Sequence, residues 1–293
     1  MKKKIILPVD GSDRALNTVK YVARFEAFHE MNIVLFHVFN SVPEAYWDLR
    51  NNPNGVLSTS QVRAWESQQK KNIHAYMQRA NKILLNAGFP SKSVKIKIQN
   101  RKKGIARDII READNGYDAV IARRRGMTGM RGIILGSVAT KLIEKLTLVP
   151  LILAGRQPPG KKILLPFDGS EKAMQTVQFV GSILGGYDYD VCLFHVIRGN
   201  GKIDPVSNKD VDLQLEKGRA LLVNMGMDRA RISTEISTGA RSRAKRIAGK
   251  AKKEGFGSIA MGRRGYSQVR DFFIGRVTNK VIFLARDRSV WII

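Results

Sequence analysis

Residues 3–15, KKIILPVDGSDRA, return 158 positions later as KKILLPFDGSEKA in residues 161–173. At the same offset LFHV at Leu35–Val38 returns at Leu193–Val196, and RRGMTGMRGIILG from Arg124 returns as RRGYSQVRDFFIG from Arg263 at an offset of 139. Two copies of one unit must fold alike, and in a 293-residue chain each has the size of an ordinary domain. The difference between the offsets, 158 and 139, leaves the first copy 19 residues longer, and the extra segment is placed within Asn40–Trp65. Two prolines and two glycines in GRQPPGKK (Gly155–Lys162) separate the copies, giving domains at 1–155 and 161–293.

Each copy alternates two kinds of pattern. KIILPV, NIVLFHV, VKIKI, DAVIA and VPLILA are short runs rich in Ile and Val, and read as strands. Between them lie helical periods: Arg14–Phe28 sets Ala15, Val19, Val22, Ala23 and Phe25 on one face, and Ile105–Ala113 repeats the spacing. Alternating βα units imply a parallel sheet covered on both faces, so each copy is predicted to be a doubly wound α/β domain of five strands. Ligands of such sheets sit beyond the carboxyl ends of the strands. The polar residues directly after strands therefore matter most: Asp10-Gly11-Ser12, Val38-Phe39 and the arginine-glycine loop in the first copy, and Asp168-Gly169-Ser170, Val196-Ile197 and its counterpart loop in the second.

Charge narrows the class of partner. With 51 Lys+Arg against 25 Asp+Glu the net charge is +26, spread over both copies, and such a field attracts acidic ligands and polyanions. No nucleic-acid module is recognisable, so DNA or RNA is allowed by charge and not indicated by motif. The longest apolar runs fall far short of the roughly 18 residues that span a bilayer. A single cysteine, Cys192 in an apolar stretch, fits a reducing cytosol, and the cytoplasm is expected.

Several candidates have a plain structural reading. Asp10 and Asp168 stand where turn and N-cap chemistry is wanted, although a carboxylate at a strand's end can also accept ribose hydroxyls. His37 and His195, inside apolar strands, read as buried and hydrogen-bonded rather than metal-ligating. GRQPPGKK nearly spells a phosphate loop, but a strand rather than a helix follows it. Trp47 and Trp65 are read as covers of a core edge, and Arg241–Lys253 as an amphipathic helix with a solvated charged face. The glycine loops weigh more. Nine residues separate Gly126 from Gly136, which precedes Ser137, and Gly265 and Gly275 keep that spacing before Arg276, with Gly262 ahead of them. A helix starting there offers free N–H groups to an anion.

A strand ending in Asp-Gly-Ser, a second strand ending in His-Val and a loop close to G-x2-G-x9-G-[ST] together resemble the universal stress protein family, twice over and across essentially the whole chain. The resemblance implies two five-stranded parallel sheets in the order 3-2-1-4-5, of the adenine nucleotide alpha hydrolase-like type. It also implies ATP, with Mg2+ possible beside it, held by the aspartate at ribose, by backbone near the valine at adenine, and by the loop glycines and hydroxyl at the phosphates. Carried over, the first copy supplies Asp10, Val38, Gly126, Gly136 and Ser137, but has Arg123 at the motif's first glycine. The second supplies Asp168, Val196, Gly262, Gly265 and Gly275, but has Arg276 at the final hydroxyl. Arg123 would either block its pocket or swing outward, whereas Arg276 could replace the lost hydroxyl by a charge-assisted bond to phosphate, so the second copy is slightly favoured as the competent one.

The expected function is that of a stress-response regulator binding an adenine nucleotide, not an enzyme, with slow ATP hydrolysis left open. The alternatives are a scaffold of the same fold without nucleotide, or a basic protein that binds polyanions. The final strands, Val149–Ala154 and Ser289–Ile293, are expected to pair with each other or with a second chain, making an intramolecular dimer or a homodimer.

Overall fold

A computed structural model of the chain describes residues 2–40, 59–124, 135–199, 205–265 and 274–293. The first repeat runs β1 (Lys4–Pro8), α1 (Asp13–Ala23), β2 (Asn32–Phe39), α2 (Thr59–Asn86), β3 (Val94–Asn100), α3 (Ile105–Ala113), β4 (Ala119–Arg123), α4 (Ser137–Lys145) and β5 (Leu151–Ala154). The second runs β6 (Lys162–Pro166), α5 (Glu171–Leu184), β7 (Asp190–Arg198), α6 (Pro205–Asn224), β8 (Ile232–Ala240), α7 (Arg243–Lys253), β9 (Ser258–Met261), α8 (Arg276–Leu284) and β10 (Ser289–Ile292). Short 3-10 turns precede β2, β3 and β8, and the first of them, Glu26–Phe28, takes the end of the helical period expected to run to Phe28.

Strand order in the first repeat is β3-β2-β1-β4-β5, and the second repeats it as β8-β7-β6-β9-β10. The expected 3-2-1-4-5 order is therefore present in both. Every pairing within a repeat is parallel, as the βα alternation demands. The two sheets do not stay separate. β5 and β10 pair antiparallel, Leu153 with Val290 and Ile152 with Trp291, and fuse them into one ten-stranded sheet. The two apolar edge strands expected to find a partner thus cover each other, which removes an edge from each repeat.

Side-chain packing reinforces this seam. Trp291 is fully buried, with ring centroids 5.5 Å from Phe25 and 6.2 Å from Phe28 of the first repeat and 6.3 Å from Phe179 of the second. Phe25 stacks in turn on Tyr189 at 5.1 Å. Tyr21 Oη donates to Ser289 Oγ at 3.0 Å and Ser289 Oγ meets Ser258 Oγ at 2.6 Å, so these three hydroxyls satisfy one another inside the seam, whereas the buried Trp291 Nε1 has no hydrogen-bond partner among the described residues.

The Asp-Gly-Ser turns have one geometry in both repeats. Asp10 Oδ1 accepts from the Ser12 N–H at 3.0 Å and hydroxyl at 2.6 Å, while Ser12 Oγ accepts from the Ala15 N–H and caps α1. Asp168, Ser170 and Ala173 repeat the arrangement at 3.1, 2.6 and 3.1 Å. Gly11 (φ 83°) and Gly169 (φ 77°) occupy the left-handed region these turns require. In α7 Ala244, Ile247 and Ala251 face the core, as its periodicity indicates, but Lys250 is buried too and pairs with Glu235 and Glu254. No helix among the described residues is long and apolar enough to cross a membrane.

Candidate functional site

A cavity of about 860 Å3 opens at the carboxyl edge of the first repeat's sheet, beyond the ends of the neighbouring strands β1 and β4. Asp10, Val38, Gly136 and Ser137 all line it. The structure thus brings together four of the five residues expected from the first copy. The fifth, Gly126, lies outside the described residues. Its volume falls within the range of roughly 300–1,000 Å3 usual for small-ligand pockets.

Each wall has a local cause. The turn that caps α1 uses Asp10 Oδ1 twice and leaves Oδ2 without an acceptor role toward any described residue. Val9, Val38, Ile109 and Leu142 provide an apolar wall. At the far side Gly136 is the N-cap of α4 with extended φ and ψ and no side-chain cap, and helical bonding begins with the Thr140 N–H to the Gly136 carbonyl at 2.9 Å. The N–H groups ahead of Thr140 consequently have no intrahelical acceptor and face the positive end of the helix dipole. His37 behaves as a core histidine: a carbonyl can only accept, so its Nδ1–H donates to the Val9 oxygen at 2.8 Å. Burial pushes its pKa below the usual imidazole value, with the Val9 bond and Asp10 opposing, and His195 does the same against Phe167 at 2.8 Å.

Of the two courses open to Arg123, blocking is not the one found: the side chain is half-buried and forms one wall of the cavity. Trp65 does not merely cover a core edge; half-buried in α2, it lines the cavity with Gln69, Asn72, Ile73 and Tyr76, along one stripe of that helix. Trp47 lies outside the described residues. Tyr76 was not legible as a site residue. It is 3% exposed, its hydroxyl has no hydrogen-bond partner, and burial together with the Asp10 charge pushes its pKa well up. The signal was available in principle, since Trp65, Gln69, Asn72 and Tyr76 fall at helical spacing.

The second repeat places Asp168 after β6, Val196 within β7, Gly262 and Gly265 after β9, and Gly275 with Arg276 at the start of α8. Its loop lies close over the turn: a Cβ on Gly265 would stand 2.3 Å from Asp168 Oδ2, so a side chain there would have to displace the carboxylate. Gly275 is an N-cap without a side-chain cap, like Gly136. Arg276 is exposed in the first turn of α8, where a cation opposes the helix dipole. Residues 266–273 of this loop lie outside the described residues.

The paired arginines at the loop entrances do something the sequence did not disclose. Arg124 Nη1 donates to the Ile282 carbonyl at 2.8 Å and the Ala285 carbonyl at 2.7 Å, at the carboxyl end of α8 in the other repeat. Arg263 reciprocates by donating to the carbonyls of Ile143 and Leu146 at the carboxyl end of α4. Each cation meets the negative end of the partner repeat's helix and satisfies carbonyls that the helix leaves unpaired. Arg124 is 7% exposed, and burial pushes its pKa down to about 10, with Asp287 opposing.

Comparison with known proteins agrees with this geometry. The model of the universal stress protein family matches residues 1–151 and again residues 160–286. A universal stress protein of Mycolicibacterium smegmatis is 24% identical over 222 residues, covering 74% of this chain and 71% of its own. Another, from Methanocaldococcus jannaschii, is 28% identical over 152 residues, covering 50% of this chain and 90% of its own. Among solved structures, a universal stress protein from Archaeoglobus fulgidus superimposes with a TM-score of 0.69 at 17% identity, covering 99% of this chain and 97% of that one, a likeness of fold.

Proposed function

Because the chain belongs to the universal stress protein family, we propose that it is a cytoplasmic regulator that binds an adenine nucleotide in the cavity of its first repeat. The observation that carries the reading is the convergence of Asp10, Val38, Gly136 and Ser137 on one 860 Å3 cavity despite Arg123. The chemistry of the lining fits such a ligand. A carboxylate oxygen that no described residue engages suits ribose hydroxyls, the apolar wall suits a base, and an uncapped helix start suits phosphate. The Ser137 hydroxyl adds a donor at the same end.

Binding rather than catalysis is the proposed role. The arginine clamps give a route by which an occupied site could bear on the other repeat. Arg124 directly follows Arg123 of the cavity wall, and Arg263 grips the helix that starts at Ser137.

The test is mass spectrometry of small molecules released on denaturing the purified full chain, followed by titration with ATP. An adenine nucleotide is expected in the released fraction. Asp10→Ala is expected to weaken ATP binding by about tenfold, the scale of losing one hydrogen bond to a charged group. Absence of released nucleotide together with ATP affinity unchanged by Asp10→Ala would reject the proposal.

A further inference from the structure

Beside the first cavity, and sharing Arg14 and Arg123 with it, lies a second cleft of about 520 Å3. It runs between α1, the end of β4 and the inter-repeat segment at Gly155–Pro158, and Arg14, Lys20, Arg24, Arg123, Arg124 and Arg156 line it. None of its lining residues is a carboxylate. Like charges gathered around one cleft disfavour one another, and an anion reverses the sign of that interaction.

The fold does not impose this cluster. At the matching positions of the second repeat Lys20 becomes Gln178, Arg24 becomes Ser182 and Arg123 becomes Gly262, while the helix, the strand end and the clamp arginine persist. Arg124 adds an independent observation. Its Nη1 is held by two carbonyls, but Nε and Nη2 are buried with no hydrogen-bond partner, and the residue forms no ion pair with any described group. A buried guanidinium held only by carbonyls, with no carboxylate at ion-pair distance among the described residues, leaves its charge uncompensated beside the cleft, and an anion bound there would be drawn by it together with the surrounding cations.

We infer that this cleft is an anion site for a phosphate chain, separate from the base and ribose end of the neighbouring cavity and joined to it through Arg14 and Arg123. The inference does not rest on the nucleotide reading. It also gives Arg123, a departure from the family's loop pattern, a place between two cavities rather than inside one. A linear oligophosphate suits the cleft because several cations are arrayed along one channel and no apolar pocket is needed to hold it.

The experiment is calorimetric titration of the full chain with inorganic tripolyphosphate at low salt. One strong site per chain is expected. A Lys20→Gln/Arg24→Ser/Arg156→Ala variant, altered only at exposed positions, is expected to bind at least about tenfold more weakly, as loss of charge-assisted contacts implies. A Lys245→Ala/Arg246→Ala/Lys253→Ala variant removes the same charge from α7 and is expected to change affinity by less than about twofold, the scale of exposed charges. Equal weakening in both variants, or none in the first, would overturn the proposal. Adenosine, which carries no phosphate, reports on the neighbouring cavity alone: a protein that takes tripolyphosphate and refuses adenosine keeps this site and loses the nucleotide reading.

Discussion

The two repeats share a topology and part company at their ligand edges. Both have the Asp-Gly-Ser turn, the histidine tied to the first strand's end, the uncapped helix start and the arginine that grips the other repeat. They differ at Arg123 against Gly262, Ser137 against Arg276, and Lys20 and Arg24 against Gln178 and Ser182. What the copies keep in common holds turns, strands and seam. What they do not keep lines cavities in the first repeat.

The seam is where the comparison can be broken most severely. Trp291 packs between aromatic side chains of both repeats, so Trp291→Ala should cost about 3–5 kcal/mol, the range for a buried Trp truncated to Ala. Chemical denaturation would show it, and a loss confined to the second repeat would contradict a seam that couples the two. Next come the clamps. Arg124→Ala and Arg263→Ala each strand two carbonyls and should cost about 2–3 kcal/mol. Arg124 should sit at the upper end because it is the more buried. If either substitution proves neutral, the reciprocal arrangement is not holding the repeats together.

The turns sharpen the comparison at smaller scale. Asp10→Ala and Asp168→Ala remove the same two hydrogen bonds and should each lower stability by about 1 kcal/mol, typical of losing a local cap or turn bond. In the proposed reading only Asp10→Ala also weakens ATP binding. The reverse pattern would return the competent site to the second repeat, where the loop sequence alone had put it.

The smallest effect is one the repeats should share. Burial lowers the pKa of both His37 and His195 in the folded chain below the unfolded value of about 6.5. The unfolded chain then binds more protons between the two values, so this stabilisation is complete above pH 6.5 and is lost as pH falls through the folded pKa. Denaturant midpoints measured between about pH 7 and 5.5 should decline in the parent, and less in a variant lacking one histidine. An unchanged pH profile in that variant would mean the histidine is not held neutral.

Much of this was legible from local pattern. Ile105–Ala113 forms the helix its spacing indicated, the strands fall on the Ile- and Val-rich runs, and GRQPPGKK leads into β6 rather than a phosphate-binding helix. Asp10 and Asp168 cap turns because carboxylate, glycine and hydroxyl at consecutive positions are enough to build one. Other residues could not be read this way. Trp65 and Tyr76 belong to the cavity because α2 packs across the β1 turn, with Ile73 Cδ1 3.2 Å from where a Gly11 Cβ would stand. Arg123 admitted two courses because a one-dimensional motif shows which residue replaces glycine but not where its side chain goes.

By itself the sequence determined the repeat, the βα alternation, the strand ends that carry polar residues and the family to which these belong, since turn chemistry and periodicity act over a few neighbouring residues. Only the tertiary structure decided that the two sheets fuse at β5 and β10, that Arg124 reaches carbonyls 158 and 161 residues away, and that six cations converge on one cleft. Those outcomes depend on which surfaces meet when whole helices and sheets pack, and contacts between residues so distant in the chain leave no period or spacing to read.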